Sequence, residues 1–434
     1  MMKHDVRSYT LTLTEAVEAL GQQELPSVEL AADQLARIRA TDAAVLAWVT
    51  LDPDHVLREA MRWDAALLPG RLGGIGIGVK DIINTADLPT AMGSPIFADH
   101  RPLRDAACVT RLKAAGAFVF GKTVTTPFAF MDPGKTRNPW DPAYTPGGSS
   151  SGSAAAVAVG HVAAAIGTQT NGSIIRPVAF CGVVGFKPTR HAIPFEGVHR
   201  FSETLDTVGT FTRTVEDAAR LASAMADPGR IAGTLTPLPR TPRFAYIGDF
   251  PWTVQDCDAN DVVEAAVTQL RTRAEVVPVD IPPVWREATD IHRTIMLYEA
   301  ARNMSELQSR ERARLSPAVN AALDDGRKIS ARTYEDARSQ RERAIVFFTQ
   351  WLHGFDAVLA PSAPGPAPRG LDTTGDPSCC TLWSLLGFPA INLPVGHVQQ
   401  MPIGMQLAAP RHCDDRLLSV AAWCGARLTF RGLV

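Results

Sequence analysis

The sequence lacks the features that mark secreted, disulfide-rich or membrane-spanning chains. Its seven cysteines are odd in number and scattered, and no two have CxxC spacing, which argues against a disulfide framework or a zinc site. The N-terminus has no continuous apolar segment of the kind found in signal peptides. The longest apolar run, near 154–166, is broken by Gly160 and His161 and is shorter than the about 20 residues of a membrane span. We therefore expect reduced thiols and a cytoplasmic protein with no membrane partner.

An excess of charge of one sign is also missing. The 43 lysines and arginines nearly balance the 45 aspartates and glutamates, for a formal net charge of -2 at pH 7. This balance gives no reason to expect nucleic acid as a partner. What the chain has is hydrophobic residues at 46%, which is ample for a core, so a globular protein acting on a small molecule is the simplest expectation.

The pattern along the chain predicts an α/β protein of one domain, residues 1–434. Helical periodicity dominates 1–66, where Thr14 and Ser27 are candidate helix caps, and strands alternate with helices over the core segment 70–220. The stretch GGIGIGVKDII predicts a strand pair with Lys80 at its end. A charged, mostly helical insert follows at 257–351, and strand-like segments return at 355–434 to complete one sheet.

Three stretches contain candidate reactive groups: GIGVKDIIN at 76–84, PGGSSSGSAAAVA at 146–158 and GTQTNGSIIRPVAFCGVVGFKPT at 167–189. Each also has an ordinary explanation when taken alone. Lys80 and Asp81 could form a surface ion pair, the Gly/Ser loop could be a linker, a phosphate cradle or a capped helix start, and TNGSII could be a simple turn. The loop lacks P-loop spacing, which argues against phosphate.

Two physical arguments favour chemistry at these stretches. Strand alternation places Lys80 and Asp81 on opposite faces, and a lysine that points inward loses hydration, which lowers its pKa and makes it a base. The consecutive backbone N–H groups from Thr170 to Ser173 suit an oxyanion hole beside a hydroxyl nucleophile. None of the three stretches contains a catalytic histidine candidate, so a His-based triad is not expected.

Taken together, in this order and at this spacing, the three stretches resemble the amidase signature family. The resemblance implies a large mixed β-sheet flanked by helices on both faces, and hydrolysis of amides by a Ser–Ser–Lys triad without metal or cofactor. Lys80 corresponds to the base, Ser149 to the bridging serine that follows a cis peptide bond, and Ser173 to the nucleophile. The N–H groups of the implied oxyanion hole are those of Thr170, Asn171, Gly172 and Ser173.

The third stretch departs from the pattern of many family members. Gln169 stands in place of an aspartate, where it can still hydrogen-bond the Gly/Ser loop, and Asn171 stands in place of a glycine. The arginine lies three residues after Ser173, which resembles malonamidase-type enzymes. Arg176 is therefore a candidate for binding a substrate carboxylate, the alternative being a buried arginine paired with an acidic neighbour.

These patterns predict an amidase that cleaves a small, carboxylate-bearing amide to an acid and ammonia. One alternative is the glutamine-hydrolysing A subunit of a tRNA-dependent amidotransferase, although Pro127 replaces an acidic residue common in relatives. Others are an amidase for neutral aliphatic or aryl amides and a binding protein that kept the fold without catalysis. By analogy with relatives, a homodimer is possible.

Overall fold

The computed structural model describes residues 7–66 and 70–434, and its strands join in one mixed β-sheet. The eleven strands in these residues are, in chain order, β1 Trp48–Thr50, β2 Gly76–Lys80, β3 Phe118–Thr123, β4 Ala165–Gln169, β5 Val184–Lys187, β6 Thr207–Thr212, β7 Arg243–Tyr246, β8 Glu275–Pro278, β9 Ala357–Pro361, β10 Ala390–Val398 and β11 Met401–Ala408.

The strand order shows how the two halves of the chain build this sheet. It runs β1-β3-β2-β4-β6-β5-β10-β11-β9-β7-β8, so strands up to residue 212 form one side and later strands form the other. The halves meet where β5 pairs antiparallel with β10, with Phe186 opposite Ile391. The strand β2 is parallel to both β3 and β4, while β4 is antiparallel to β6. The carboxyl ends of β2 and β4 therefore lie side by side.

Fourteen α-helices in the described residues surround the sheet. They are α1 Leu13–Gly21, α2 Ser27–Val45, α3 Pro53–Ala66, α4 Ala107–Ala114, α5 Ser151–Ala158, α6 Ile175–Cys181, α7 Val215–Met225, α8 Cys257–Arg271, α9 Ala288–Asn303, α10 Ser305–Glu311, α11 Pro317–Lys328, α12 Ala331–Trp351, α13 Ser378–Leu386 and α14 Asp414–Gly425. None of the helices in 7–66 or 70–434 is long and apolar enough to cross a membrane.

Side chains of one strand alternate between two hydrophobic clusters. In β9, Ala357 and Leu359 belong to the cluster that includes α4, α7 and α14, whereas Val358 and Ala360 belong to the cluster that includes α2, α5 and α13. Because successive strand residues point to opposite faces, helices must cover both faces of the sheet. The predicted mixed sheet with helices on both sides is thus confirmed.

Several local predictions were wrong, and the structure gives the reasons. Thr12, not Thr14, caps α1, because its hydroxyl accepts from the Glu15 amide while the Glu15 carboxylate accepts from the Thr12 amide. The start of α2 is capped from outside by Asp64, which accepts from the Ser27 amide at 2.7 Å, so the Ser27 side chain is not the cap. The stretch around Gly76 forms one strand, not a pair.

The predicted helical insert, 257–351, is not purely helical. It contains α8 to α12, and between α8 and α9 the chain adds β8, which pairs parallel with β7 at one edge of the sheet. This strand is mostly exposed, in contrast to the fully buried β9, as expected for an edge position.

Candidate active site

Four segments converge at the carboxyl ends of the parallel strands β2 and β4. The strand β2 ends with Lys80, and β4 runs into the turn 170–173 that precedes α6. The Gly/Ser loop 146–150 leads into α5, the crossover between β3 and β4. Crevices at the carboxyl ends of parallel strands are common ligand sites, because loops and helix starts meet there. The candidate residues from the three stretches therefore lie in one region.

Lys80 is fully buried and its amine donates only to hydroxyl groups. Its Nζ lies 2.7 Å from Ser149 Oγ and 2.9 Å from Thr168 Oγ1, and no carboxylate of the described residues is within ion-pair distance. Burial holds the pKa of Lys80 well below its usual range, the charge of Asp206 opposes this shift, and the Arg176 cation adds to it. Removal of the amine from water disfavours its charged form.

Asp81 occupies a different environment from its neighbour Lys80, as alternation along the strand predicted. Its carboxylate is 3.5 Å from the amine of Lys122 and accepts from the amide of Ala91. Both Asp81 and Lys122 are fully buried, so they form a structural ion pair on the other side of the chain. The alternative that Lys80 and Asp81 form a surface ion pair was wrong.

The serines of the Gly/Ser loop have separate contacts. The peptide bond between Gly148 and Ser149 is cis, and the Ser149 side chain turns to Lys80. Ser150 donates to the carbonyl of Thr168 at 3.2 Å, and Ser151 donates weakly to the carbonyl of Val124 at 3.4 Å. Within this loop, the only serine hydroxyl in contact with Lys80 is that of Ser149.

Small residues allow α5 to pack directly on the backbone of neighbouring segments. A Cβ at Gly152 would lie 2.3 Å from the carbonyl oxygen of Ala47 and 2.3 Å from the amide of Val124, distances that no side chain tolerates. The whole of α5 is buried. The glycines and alanines that resembled a linker in sequence therefore hold the Ser149 loop tightly against β3.

The turn 170–173 is held through its carbonyl groups. His292 Nε2 donates to the Thr170 carbonyl at 3.0 Å, the Ser384 hydroxyl donates to the Asn171 carbonyl, and the Arg176 amide donates to the Gly172 carbonyl at 2.9 Å. Each peptide unit is planar and trans, so the C=O of one residue and the N–H of the next residue point in opposite directions. A hydrogen bond that fixes the carbonyl therefore also fixes the direction of that N–H.

The N–H groups that face away from these contacts are free. The amides of Asn171, Gly172 and Ser173 have no hydrogen-bond partner among residues 7–66 and 70–434. Consecutive N–H groups that are unpaired, in peptide units whose carbonyls are held by hydrogen bonds, can bind a negatively charged oxygen. The expected oxyanion hole is therefore geometrically available at this turn.

Asp206 supports the same turn from a buried position. Its carboxylate accepts from the Thr170 hydroxyl at 2.6 Å and from the amides of Phe201 and Ser202 at 2.8 and 3.0 Å. Burial raises the pKa of Asp206 to about 6, although these hydrogen bonds counteract the shift. The charge of Asp206 also acts on Lys80, although the two side chains form no ion pair.

Ser173 and Gln169 occupy opposite ends of the turn. Ser173 is nearly buried, and its hydroxyl forms no hydrogen bond with the part of the chain that the structure describes, including Ser149. We expected Gln169 to hydrogen-bond the Gly/Ser loop, but its side chain has other partners. Its side-chain carbonyl accepts from the amides of Ile174 and Ile175 at 2.8 and 3.0 Å, because these are the free N–H groups at the start of α6.

Arg176 is buried beside the site and its guanidinium contacts backbone carbonyls. Nη1 donates to Gly375 at 2.6 Å and Nη2 donates to Gly148 at 2.7 Å, while the buried Nε has no partner. No carboxylate within 4.0 Å pairs with it among the described residues, so the alternative of an ion-paired structural arginine is not supported. Burial lowers the pKa of Arg176 to about 10.

Several residues at the site were not predicted from the sequence. Ser384 lies in α13 and His292 lies in α9, far along the chain from the turn that they hold. Thr381 of α13 also donates to the Asn171 side chain at 2.9 Å. Asp206, His292 and Ser384 all lie outside the three stretches that carry the family resemblance. No group of side chains in 7–66 and 70–434 is arranged to hold a metal ion.

Comparisons with known proteins identify the family of the chain. The family model named Amidase matches residues 29–418. The A subunit of the glutamyl-tRNA(Gln) amidotransferase from Symbiobacterium thermophilum is 33% identical over 462 residues, which cover 94% of each chain. A crystal structure of an amidase is 31% identical, with a TM-score of 0.89, and covers 96% of this chain and 100% of its own. The native peptide amidase from Stenotrophomonas maltophilia is 28% identical, with a TM-score of 0.83, and covers 98% of both chains.

The family model spans most of the chain, and the fold of the solved relatives extends over nearly all of it. The chain therefore belongs to the amidase signature family and is an enzyme that acts on amide C–N bonds.

Proposed function

We propose that this enzyme hydrolyses a small carboxylate-bearing amide to an acid and ammonia, with Ser173 as the nucleophile. Ser173 Oγ attacks the amide carbonyl while its proton passes to Ser149, and Ser149 passes its own proton to neutral Lys80. The proton then returns along the same path to the leaving nitrogen, and ammonia departs. Water attacks the acyl-enzyme in the same manner and releases the acid.

The contact between Lys80 and Ser149 is the observation that carries the proposal. A distance of 2.7 Å between Nζ and Oγ permits direct proton transfer, and burial without an ion-pair partner lowers the pKa of Lys80 well below its usual range. Lys122 instead pairs with Asp81, and the buried Lys187 donates to the backbone carbonyls of Pro188 and Phe388. Of the three buried lysines in the described residues, only Lys80 donates to a serine hydroxyl.

The free amides of the turn supply the second requirement of acyl transfer. Attack by Ser173 creates a negative oxygen, and the N–H groups of Thr170, Asn171, Gly172 and Ser173 are the candidates to bind it. Their support from His292 and Ser384 means that little reorganisation is needed when the charge develops. Removal of one such donor in other enzymes lowers kcat by about 10²–10³.

Arg176 is our candidate for recognising the substrate carboxylate. Two of its five N–H groups are occupied by the carbonyls of Gly148 and Gly375, and its charge has no acidic partner within 4.0 Å in the described chain. An uncompensated guanidinium beside the nucleophile favours an anionic substrate. The contact with Gly148 gives Arg176 a further role, which is to position the peptide that precedes Ser149.

A second candidate function is hydrolysis of L-glutamine within an amidotransferase, with ammonia passed to a partner protein. The similarity to the amidotransferase of Symbiobacterium thermophilum, at 33% identity over 94% of both chains, favours this role over a free-standing amidase. Glutamine is itself a carboxylate-bearing amide, so the same site chemistry serves both candidates. Copurification with partner proteins would support it, and efficient release of ammonia from malonamate by the isolated chain would argue against it.

The test is an ammonia-release screen with matched serine variants. The panel contains malonamate, L-glutamine, neutral aliphatic amides and aryl amides, and the oligomeric state of the chain is measured by light scattering in parallel. Ser173→Ala and Ser149→Ala should abolish activity on the preferred amide. Ser151→Ala removes a buried hydroxyl two residues from Ser149 and should leave activity near the wild-type value.

Two results would refute the assignment. If Ser173→Ala hydrolysed the amide at the wild-type rate, Ser173 would not be the nucleophile. If Ser149→Ala and Ser151→Ala lost equal activity, the loss would reflect a loop that tolerates no change, and not proton transfer by Ser149. Circular dichroism on each variant separates loss of chemistry from loss of fold. Trapping of an acyl-enzyme by mass spectrometry at Ser173 would support the covalent step directly.

A further inference from the structure

A cavity of about 410 Å³, lined by more basic than acidic side chains, lies near the carboxyl end of α13. Four arginines line it: Arg190, Arg338, Arg341 and Arg411. None of Lys80, Ser149, Ser173 or Arg176 belongs to this lining, so the cavity is separate from the candidate active site. Its volume is within the range of small-molecule sites.

The three glutamates that share the cavity each have hydrogen-bond or ion-pair partners, and one of them pairs with a cavity arginine. Glu299 accepts from the hydroxyl of Ser202, from the amide and hydroxyl of Thr204 and from the hydroxyl of Tyr334. Glu203 pairs with Arg200 outside the cavity at 2.5 Å. Only Glu342 pairs with a cavity arginine, Arg341, at 2.6 Å. Arg341 has a carboxylate partner in Glu342 and Arg338 has one in Glu335, so Arg190 and Arg411 are the cavity cations without an ion-pair partner among the described residues.

Two of the arginines have a structural role that uses only part of their hydrogen-bonding capacity. Arg341 Nε donates to the Leu385 carbonyl at 2.7 Å, and Arg411 Nε donates to the Leu386 carbonyl at 2.7 Å. These contacts cap the end of α13, where free carbonyls attract cations. Capping explains the Nε groups, but it does not explain the terminal amino groups of the same side chains.

Donors that face no partner remain in the cavity wall. Arg341 is 6% exposed, and its buried Nη2 has no hydrogen-bond partner. The buried Nε of Arg190 is also unpaired, and Arg190 contacts only the neighbouring ring of His191 through Nη1. Within residues 7–66 and 70–434, neither Arg190 nor Arg411 has a carboxylate within 4.0 Å. Buried donors without acceptors are rare in native proteins, and a bound water or an anion is the usual partner of such a group.

The proximity of the cations has an electrostatic consequence. Burial, followed by the charge of Arg411, lowers the pKa of Arg341 to about 10. The pKa of Arg190 is lowered mainly by burial, with Asp206 and Glu299 opposing and Arg411 contributing. Like charges that share a partly buried space destabilise one another unless an anion lies between them.

We propose that this cavity binds a small doubly charged oxyanion, either inorganic phosphate or the phosphate group of a small monoester. Guanidinium groups bind phosphate oxygens through pairs of parallel hydrogen bonds, and Arg190, Arg341 and Arg411 together offer several unused donors. The cavity is larger than a single phosphate needs, which leaves room for an attached organic group. The ligand would occupy the space between the end of α13 and the side chains of α9 and α12.

The experiment measures thermal stability and binding heat with inorganic phosphate and with glycerol 3-phosphate. Sodium chloride at matched ionic strength is the control for general screening, and succinate is the control for a dianion of different shape. A ligand that binds only the folded state raises Tm in a saturable manner. We expect one site per chain for at least one phosphate compound, a smaller effect of succinate and no saturable effect of chloride.

Matched arginine variants locate the site. Arg190→Gln and Arg338→Gln each remove a cavity cation without touching the caps of α13, and each should raise the apparent Kd at least tenfold. Arg343→Gln removes an exposed arginine from the same helix as Arg338 and should leave Kd unchanged. Because Arg190 and Arg338 lie on different segments, failure of one variant to fold leaves the other as a valid test.

The proposal is overturned if neither phosphate compound gives saturable binding, or if chloride raises Tm equally. It is also overturned if Arg190→Gln, Arg338→Gln and Arg343→Gln all bind phosphate with the wild-type Kd. Binding of glycerol 3-phosphate but not of inorganic phosphate would support the monoester form, and the reverse would support free phosphate. Stronger binding of succinate than of both phosphates would refute the assignment of the ligand class.

Discussion

Replacement of Lys80 by methionine should separate catalysis from stability. The substitution keeps the length of the side chain and removes the amine that lies 2.7 Å from Ser149. A positioned general base contributes roughly 10²–10⁴ to the rate, so kcat on the preferred amide should fall by about that factor. KM should change little, because Lys80 contacts hydroxyl groups of the protein and not the proposed carboxylate-binding group.

The stability of the same variant should depend on pH in a defined direction. Unfolded Lys80 is protonated below its ordinary pKa of 10.5, whereas the buried amine is neutral above its lowered pKa. In that window the unfolded state binds one more proton, so the wild type gains stability as pH rises, by about 1.4 kcal/mol per pH unit. Methionine has no titratable group, so Lys80→Met lacks this contribution to the pH dependence of stability. Its free energy of unfolding should exceed that of the wild type by an amount that decreases as pH rises, with the same slope.

A second buried lysine provides the matched control. Lys122 is as buried as Lys80 but pairs with Asp81 and donates to Thr90 at 2.6 Å. Lys122→Met leaves the Asp81 charge unpaired, which costs about 3–5 kcal/mol of stability, while folded molecules should keep their activity. Lys80→Met should instead lose activity and keep its stability.

The measurements are urea unfolding and kcat/KM of each protein between pH 6 and the alkaline limit of folding. Wild-type kcat/KM should rise with pH through the lowered pKa of Lys80, since only the neutral amine accepts a proton. The reasoning would be refuted if Lys80→Met kept activity within tenfold of the wild type. It would also fail if the stability difference between the two proteins were independent of pH.

Four further predictions concern the surroundings of the triad. His292→Ala should lower kcat by about tenfold or more with little change in KM, because the Thr170 carbonyl loses its donor, and His292→Gln should restore part of the rate. Ser384→Ala should have the same type of effect in steady-state kinetics, and a change in KM alone would contradict it. Arg176→Ala should raise KM by about 10–100-fold for amides that carry a carboxylate and much less for neutral amides, as expected for loss of a charged hydrogen bond; equal effects on both would exclude the carboxylate role. Relative to Asp206→Asn, the wild type should lose stability between pH 3.8 and about 6 by up to about 1.4 kcal/mol per pH unit, because the folded state retains the proton longer; parallel unfolding curves across this range would count against the raised pKa.

Local sequence patterns were sufficient to predict the groups at the strand ends. Lys80 follows a short apolar strand, and the glycines around Ser149 and Ser173 mark turns, so the sequence itself carries these positions. The order and spacing of the three stretches carried the family resemblance, which implied the mixed sheet, and the alternation of strands and helices predicted an α/β protein. These features depend on residues that are close together in the chain.

The remaining features depend on contacts between distant segments. His292 is one of many polar residues on a charged helix, and only the packing of α9 against the turn distinguishes it. The predicted partner of Gln169 was wrong for a related reason. The free amides at the start of α6 lie nearer to its side chain than the Gly/Ser loop does. The cap of α1 was wrong although the Thr12 to Glu15 pattern is local, because Thr14 lies nearer the middle of the apolar repeat.

The support of the turn by α9 and α13 has a consequence for biosynthesis. The residues that we assign to chemistry have all been translated by residue 173, but Ser384 follows roughly 200 residues later, about 10–40 s at the usual elongation rate of ~5–20 residues per second. During that interval the nascent chain contains every reactive side chain, but it lacks Ser384, the donor to the Asn171 carbonyl, and until residue 292 it also lacks the donor to the Thr170 carbonyl. A chain that terminates before α13 should therefore be inert, and the appearance of activity reports completion of the polypeptide.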